Sequence, residues 1–291
     1  MGISPIPPKT CNYSCVYCQL GRTTNYTNTR KKFFDPNEIV EEVREAVEKS
    51  SNIDFITIVG DGEPLLYTPL DRIIEGIKDF GIPIAIISNG ALLYKEEVRE
   101  EISSVDLALL KIDAGNEELW KKINRPHPDL KYDEVFPGMI EFSQNFRGKI
   151  FLETMLVDNL NTGEEELLKI RELVEKIRHD KFFVSVPTRP PAEKWVRVPP
   201  EDKREKAIKI LQAIPIFYVE TGEIGTSGFK DFKECIIKIT RRHPLREDEV
   251  IAIGEKFGVN WKEEVENLIN IGEIKVEDFF GHKYYVYGGA R

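Results

Sequence analysis

From about residue 50 to residue 220, short apolar runs alternate with amphipathic stretches. The runs predict strands over Asp54–Val59, Pro83–Ile87, Asp106–Ile112, Lys149–Val157, Phe182–Val186 and Ile216–Val219. Between them, Leu70, Ile73, Ile74 and Ile77 recur at helical spacing, and so do Leu167, Ile170, Val174 and Ile177. Thr162, with Glu165 three residues on, predicts a capping box for the second of these helices. Asp35, followed by Pro36 and then Glu38, starts another helix by the same logic. Gly2–Ile6 is a candidate for a short first strand. Alternating strands and helices imply a parallel sheet with right-handed crossovers, either open or closed toward a barrel.

The pattern changes beyond Pro187. Five prolines between Pro187 and Pro200 read as a long ordered loop, and the Gly-rich run Gly222–Gly228 reads as a linker. Helices follow over Phe229–Arg241, Arg246–Phe257 and Trp261–Asn270, then a hairpin of Glu273–Val276 and Lys283–Tyr287 turning at Gly281-His282. Three helices and a hairpin suggest a winged-helix module. The expected division is therefore 1–221 for an α/β domain, 222–228 for a linker and 229–291 for the module.

The 291 residues, 41 % of them apolar, are enough for one large core and a small one. No apolar run approaches the about 20 residues that span a bilayer. The start, MGISPIPPK, lacks the apolar stretch of a signal peptide, so a cytoplasmic protein without membrane partners is expected. Abundant Glu, Lys and Ile with only Gln19, Gln144 and Gln212 fits a thermophile's usage. A net charge of −9 argues against broad binding to DNA, although Arg30-Lys31-Lys32 forms a local basic spot. The module carries 11 Lys/Arg and 12 Asp/Glu from Gly228 to Arg291, and its third helix opens Trp261-Lys-Glu-Glu. An acidic helix at the recognition position would repel phosphates, which argues against DNA again.

Chemistry concentrates in Cys11-Asn-Tyr-Ser-Cys15-Val-Tyr-Cys18. In a reducing compartment such a trio reads as metal or redox chemistry rather than as disulfides. Thiolates suit zinc, copper or iron–sulfur clusters. A structural zinc wants four ligands, and His127, His179, His243 and His282 all lie far along the chain. Distant Cys235 would have to complete such a staple, yet it sits on an amphipathic pattern and reads as a small buried hydrophobe. A cluster held by three cysteines keeps one iron open.

The CxxxCxxC loop, with Tyr17 before its last cysteine, resembles the signature of the radical S-adenosylmethionine (radical SAM) superfamily. Gly60-Asp61-Gly62-Glu63-Pro64 resembles that family's GGEP motif, with Asp61 in place of the first glycine. Ser88-Asn89-Gly90 and Asp113-Ala114-Gly115 follow the next two predicted strands. The resemblance covers roughly residues 2–220. It implies a partial (β/α)6 TIM-type barrel and a [4Fe-4S] cluster on Cys11, Cys15 and Cys18. It implies also that S-adenosylmethionine is cleaved reductively to methionine and a 5′-deoxyadenosyl radical that abstracts hydrogen from a substrate. Glu63 with the Gly62 backbone would hold the methionine end, with Tyr17, Pro64, Ser88, Asn89 and Asp113 as further cofactor contacts. A ferredoxin or flavodoxin would supply the electron. Every motif lies at the carboxyl end of a predicted strand, the rim that carries active sites in α/β barrels.

Ile6–Thr23 and the DAG…NRPH segment, Asp113–His127, are similar to a wyosine-synthase-like branch of the superfamily. The second cysteine cluster of wyosine synthases proper is missing, and the substrate class stays open among RNA, a small molecule and a protein. Two further expectations compete: an activating enzyme that makes a radical on a partner protein, and an iron–sulfur winged-helix regulator. Arg125 and His127 are candidate substrate contacts beside a helix-ending role for Pro126 and Pro128. Lys111 shares a strand face with Asp113 and reads as a buried polar partner. Arg189 in the Pro-rich loop is a candidate anion contact or a solvated residue.

Overall fold

The structure is a computed structural model and describes residues 1–50, 52–217, 225–226 and 228–289. Contacts divide the described chain into two units: residues 1–15, 23–186 and 199–216, and residues 16–22, 187–198 and 217–291.

The first unit is built on strands β1 (Gly2–Ile3), β2 (Thr10–Cys11), β3 (Asn25–Tyr26), β4 (Ile56–Val59), β5 (Ile84–Ser88), β6 (Leu107–Lys111), β7 (Lys149–Met155), β8 (Lys181–Ser185) and β9 (Ile214–Ile216). Seven of these form one parallel sheet in the order β1-β4-β5-β6-β7-β8-β9, while β2 and β3 pair separately. The order never reverses, so with right-handed crossovers every connecting helix falls on the same face. That is barrel winding left open, not the doubly wound arrangement.

The connecting helices are α1 (Pro36–Glu48), α2 (Leu70–Lys78), α3 (Glu96–Glu101), α4 (Glu117–Ile123), α5 (Tyr132–Asn145), α6 (Glu164–Val174) and α7 (Glu201–Leu211). They complete six strand–helix units before β9 ends the sheet. In α2 the predicted stripe Leu70, Ile73, Ile74 and Ile77 is fully buried. Asp35 caps α1 by accepting from the Asn37 N–H at 3.0 Å, with Pro36 in the first turn. Burial alternates along the strands: Ala108 and Leu110 are sealed under the helices, whereas Leu107, Leu109 and Lys111 on the other, concave face are half-buried.

Two expectations for this unit need correction. Thr162 and Glu165 form no capping box; Gly163 is the N-cap and makes no side-chain cap bond. Asn161, one residue earlier, is fully buried and bonded to strand ends, which draws the chain inward and leaves the helix to start at Glu164. The last strand runs over Ile214–Ile216, because Gln212 ends α7 in a left-handed conformation (φ 52°) and the chain extends directly afterwards. Val219 and most of the expected linker, Gly222–Gly228, lie outside the described residues.

The second unit contains α8 (Phe232–Arg242), β10 (Leu245–Arg246), α9 (Glu247–Phe257), α10 (Trp261–Asn270), β11 (Ile274–Phe279) and β12 (His282–Tyr287), with an antiparallel sheet ordered β10-β12-β11. Its core includes Phe232, Cys235, Ile236, Val250, Ile253 and Leu268. The hairpin turns at Phe280-Gly281, one residue earlier than expected. Both have positive φ (48° and 77°), the twist that closes a two-residue hairpin turn.

The Pro-rich strap belongs to this unit and is pinned at several points. Arg189 grips Glu249 at 2.6 and 2.9 Å. Glu193 pairs with Arg22 through two hydrogen bonds of 3.0 and 3.1 Å. Arg189 thus holds a carboxylate, but one of the chain's own.

Candidate functional site

The strand ends meet as one rim. β4 leads into Gly60–Pro64, β5 ends in Ser88-Asn89, β6 runs out to Asp113, and β7 ends at Met155. The cysteine loop reaches the same rim through backbone pairing. The Lys9 N–H donates to the Asp61 carbonyl at 2.6 Å, and the Glu63 N–H donates to the Thr10 carbonyl at 3.0 Å. Thr10 and Gly62 form a parallel bridge, so the strand that delivers Cys11 lies directly on the GEP turn. A Cβ on Gly62 would fall 1.8 Å from the Thr10 carbonyl oxygen. Asp61, where the family pattern has glycine, is outside the left-handed region and uses its backbone N–H to bond the Ser4 hydroxyl at 3.0 Å. Position 61 therefore has no conformational need for glycine.

Glu63 is 2 % exposed, and both of its carboxylate oxygens are engaged. Oε1 accepts from the Leu65 N–H (2.9 Å) and the Ser88 hydroxyl (2.6 Å), and Oε2 accepts from the Asn89 N–H (2.8 Å). Burial pushes its carboxyl up to about 7 against the opposing pull of these donors. Pro64 opens the one-turn 3₁₀ helix that Glu63 caps. Ser88 in turn accepts from the Gly90 N–H at 2.9 Å. Glu63 and Ser88 thus tie the ends of β4 and β5 together.

Two asparagines, Asn89 and Asn124, link this frame to the cysteines. The Asn89 carboxamide donates to Asn12 Oδ1 at 2.8 Å and lies 4.0 Å from Cys11 Sγ. The Asn124 carboxamide donates to Asp113 Oδ2 at 2.7 Å and to Cys15 Sγ at 3.4 Å. Asp113 is 2 % exposed, and its other oxygen accepts from the Met155 N–H at 2.8 Å. Asn161 bonds the Asp113 and Met155 carbonyls at 3.1 and 2.8 Å. The loop itself is clamped onto the end of α4: the Ser14 N–H donates to the Asn124 and Arg125 carbonyls, and Trp120 Nε1 donates to the Tyr13 hydroxyl at 2.9 Å. Arg125 adopts φ 45°, which turns its carbonyl to the loop.

Below the rim, on the concave face, Lys111 pairs with Glu153 at 2.6 Å, and the Ser185 hydroxyl donates to the same Glu153 oxygen at 2.5 Å. Burial opposes charge on both groups. Even so, Lys111 and Ser185 hold the Glu153 carboxyl below its ordinary range, and Glu153 and Asp113 hold the Lys111 ammonium above its own. An acid whose folded pKa is lowered contributes stability above its unfolded pKa and loses it as pH falls through the folded value. Lys111→Met should therefore destabilise the fold by about 3 kcal/mol at pH 7, by stranding a buried carboxylate. Without Lys111, burial raises the Glu153 carboxyl, so the variant should take up a proton above the ordinary carboxylate range and the deficit should shrink as pH falls from 7 toward 4. Urea unfolding at pH 7 and pH 4 measures it, and a deficit independent of pH would refute the pairing.

Of the residues singled out in the sequence, Cys11, Cys15, Gly62, Glu63, Pro64, Ser88, Asn89 and Asp113 fall within the first unit's rim. Tyr17 and Cys18 lie in segment 16–22, grouped with the second unit, and both are half-buried. Cys235 is fully buried in the second unit's core, and burial pushes its thiol up to about 11. A neutral, core-packed thiol does not suit the zinc staple. Arg30, from the expected basic spot, is an internal brace on Glu101 (2.5 Å) and on the Leu65 and Tyr67 carbonyls. Asn12, Tyr13, Trp120 and Asn124 lie in segments that the sequence singles out, but nothing in the sequence gives their contacts, and Asn161 has no sequence signal.

Among the described residues, no three His, Cys, Asp or Glu side chains gather around one ion position. The fit to a cluster rests on donor chemistry. Cys11 Sγ accepts from the Tyr13 N–H at 3.3 Å and Cys15 Sγ from Asn124, so both sulfurs sit among N–H donors that favour thiolate. All three loop cysteines are partly exposed, as ligands open to a cluster must be.

A family model described as Radical SAM superfamily matches residues 6–170. A UPF0026 protein of Methanocaldococcus jannaschii is 35% identical over 294 residues, covering 98% of this chain and 91% of that protein. The crystal structure of a radical SAM methyltransferase from Sphaerobacter thermophilus matches with a TM-score of 0.58 at 15% identity, over 76% of this chain and 67% of that one. SuiB of Streptococcus suis, solved bound to S-adenosylmethionine, matches with a TM-score of 0.54 at 16% identity, over 75% of this chain and 49% of that one. At these identities the two structures are likenesses of fold.

Proposed function

The chain belongs to the radical SAM superfamily, and from that premise we propose that it is an enzyme that binds a [4Fe-4S] cluster through Cys11, Cys15 and Cys18 and S-adenosylmethionine at the adjoining rim. When bound, the cluster supplies the electron that cleaves S-adenosylmethionine to methionine and a hydrogen-abstracting 5′-deoxyadenosyl radical. The bond from the Glu63 N–H to the Thr10 carbonyl carries this reading. It fixes the strand that delivers Cys11 against the GEP turn, so that this cysteine and the cofactor-contact turn share one frame.

Within that frame the residues divide their work. Gly62 lets two backbones meet at a distance no other residue permits. Glu63 shapes the methionine end by holding Leu65, Ser88 and Asn89, and its own oxygens are already engaged. Asn89 and Asp113 set the two sides of the opening above the concave face. Substrate would enter over that face, where Lys111, Glu153 and Ser185 are the polar groups available to it. Tyr17 is assigned to the cofactor on its place beside Cys18. A soluble ferredoxin or flavodoxin in the cytoplasm would provide the electron. No helix among the described residues is long and apolar enough to cross a membrane. We read the helix–strand–helix–helix–hairpin order of the second unit as winged-helix-like. Its acidic α10 favours a role in holding substrate or partner over one in binding DNA.

Anaerobic reconstitution should load about four iron and about four sulfide per chain. The reduced protein given S-adenosylmethionine should then release 5′-deoxyadenosine. One equivalent of zinc taken up in place of iron, or loaded protein that leaves S-adenosylmethionine intact, would overturn the proposal.

A further inference from the structure

Asn124 caps the end of α4 and is 3 % exposed. Its amide nitrogen carries two hydrogens, and two acceptors stand within reach: Asp113 Oδ2 at 2.7 Å and Cys15 Sγ at 3.4 Å. The amide has only one orientation that works. Turned over, it would set its oxygen against a buried carboxylate. Asp113 cannot move to relieve that clash, because its other oxygen accepts from Met155 and its carbonyl from Asn161. The Asn124 carbonyl also receives the Ser14 N–H at 3.0 Å, so amide and cysteine loop are held as one piece. Asp113 thus aims a neutral N–H at one cysteine sulfur, with the opposite amide orientation blocked by charge.

We propose that Asn124, oriented by Asp113, is a positioning residue that sets the reduction potential of the cluster through its hydrogen bond to Cys15. The inference rests on the reading that Cys15 is a cluster ligand. An N–H aimed at a ligating sulfur withdraws electron density from it. The reduced cluster, with one more negative charge, gains more from this than the oxidised one, so the midpoint rises. Asn89 makes a weaker counterpart at Cys11, at 4.0 Å. The two asparagines therefore tune unequal partners, and Asn124 carries the larger effect.

The test uses anaerobically reconstituted full-length chain, titrated with redox mediators and followed by electron paramagnetic resonance. Asn124→Leu keeps size and neutrality and removes both N–H groups. Its midpoint should fall by about tenfold in the reduction equilibrium, about 59 mV for a one-electron couple. Asn124→Ser, smaller and still polar, should shift the midpoint in the same direction if the leucine variant fails to load. Wild type grown with ¹⁵N-asparagine should show a ¹⁵N coupling to the reduced cluster that weakens in both variants. A purely structural role for Asn124 would give no ¹⁵N coupling in wild type and no shift of the midpoint in the variants. Loaded variants with an unchanged midpoint, or wild type without the coupling, overturn this inference alone. A chain that forms no four-iron cluster overturns it together with the proposed function.

Discussion

Cys15→Ala should give a chain that folds as wild type, retains no four-iron cluster after reconstitution and releases no 5′-deoxyadenosine above background. The change deletes one sulfur from a partly exposed position. The loop around it is held by other groups. Ser14 is fixed by its N–H to two carbonyls, Tyr13 by Trp120, and Asn12 by Asn28 and Asn89. Loss of the thiol removes the acceptor of one Asn124 N–H and no other contact named above, so it should cost no more than about 1 kcal/mol. Ligation has no such reserve. Two loop thiolates remain, and Cys235 is locked in the second unit's core with a thiol pushed up to about 11. Iron content, the visible absorption of the cluster and product release should disappear together while the urea midpoint stays in place. Retention of stoichiometric iron and of turnover would remove Cys15 from the ligand set. Collapse of the fold along with the cluster would show that the loop is held by metal rather than by its hydrogen bonds.

Much of the frame was legible in the sequence because it depends on periodicity. The α1 start, the α2 stripe and most strands of the sheet follow from local patterns of apolar residues, and local patterns are read one segment at a time; the count of six strand–helix units came from the family resemblance. The rim was legible for a related reason: Glu63, Ser88 and Asp113 each lie at or just past the end of a strand, and strand ends converge in any barrel of this winding. Roles were harder to read than positions. Glu63 looks in the sequence like a ligand-holding acid. The fold adds a second role that the sequence does not show: burial and three donors make it also a joint between β4 and β5. Asn124 looks like a residue before an Arg-Pro helix stop, and nothing local says that a cysteine more than a hundred positions away will come to rest against its amide. The missing cap at Thr162 has the same origin, since Asn161 answers to Asp113 and Met155 rather than to its own helix. Tertiary approach decides each of these cases, and a single sequence carries no record of it.

Gly62→Ala should be the most damaging single methyl group that can be added to this site. A Cβ there would lie 1.8 Å from the Thr10 carbonyl oxygen, 2.6 Å from its carbon and 3.1 Å from its nitrogen. All three are backbone atoms of a paired strand, so no side chain can swing away. Conformation is not the obstacle, because Gly62, unlike Gly90 at φ 71°, is not in the left-handed region. The obstacle is space. The chain must part Thr10 from Gly62, which strains the bond from the Glu63 N–H and moves Cys11, the next residue along. Overpacking typically costs about 1–3 kcal/mol; a rigid backbone contact of this depth should reach about 3 kcal/mol or more. Gly60→Ala is the milder comparison: its Cβ meets the end of the Ile6 side chain at 2.7 Å and the Gly62 carbonyl oxygen only at 3.1 Å, and its cost should stay near about 1 kcal/mol, the centre of ordinary substitutions. Urea unfolding compares the two, and calorimetry with S-adenosylmethionine on reconstituted protein reports the site. Gly62→Ala should lose both stability and cofactor binding, whereas Gly60→Ala should keep them. If both variants bind S-adenosylmethionine as wild type does, the close meeting of the two backbones is not what brings the cysteines and the GEP turn into one site.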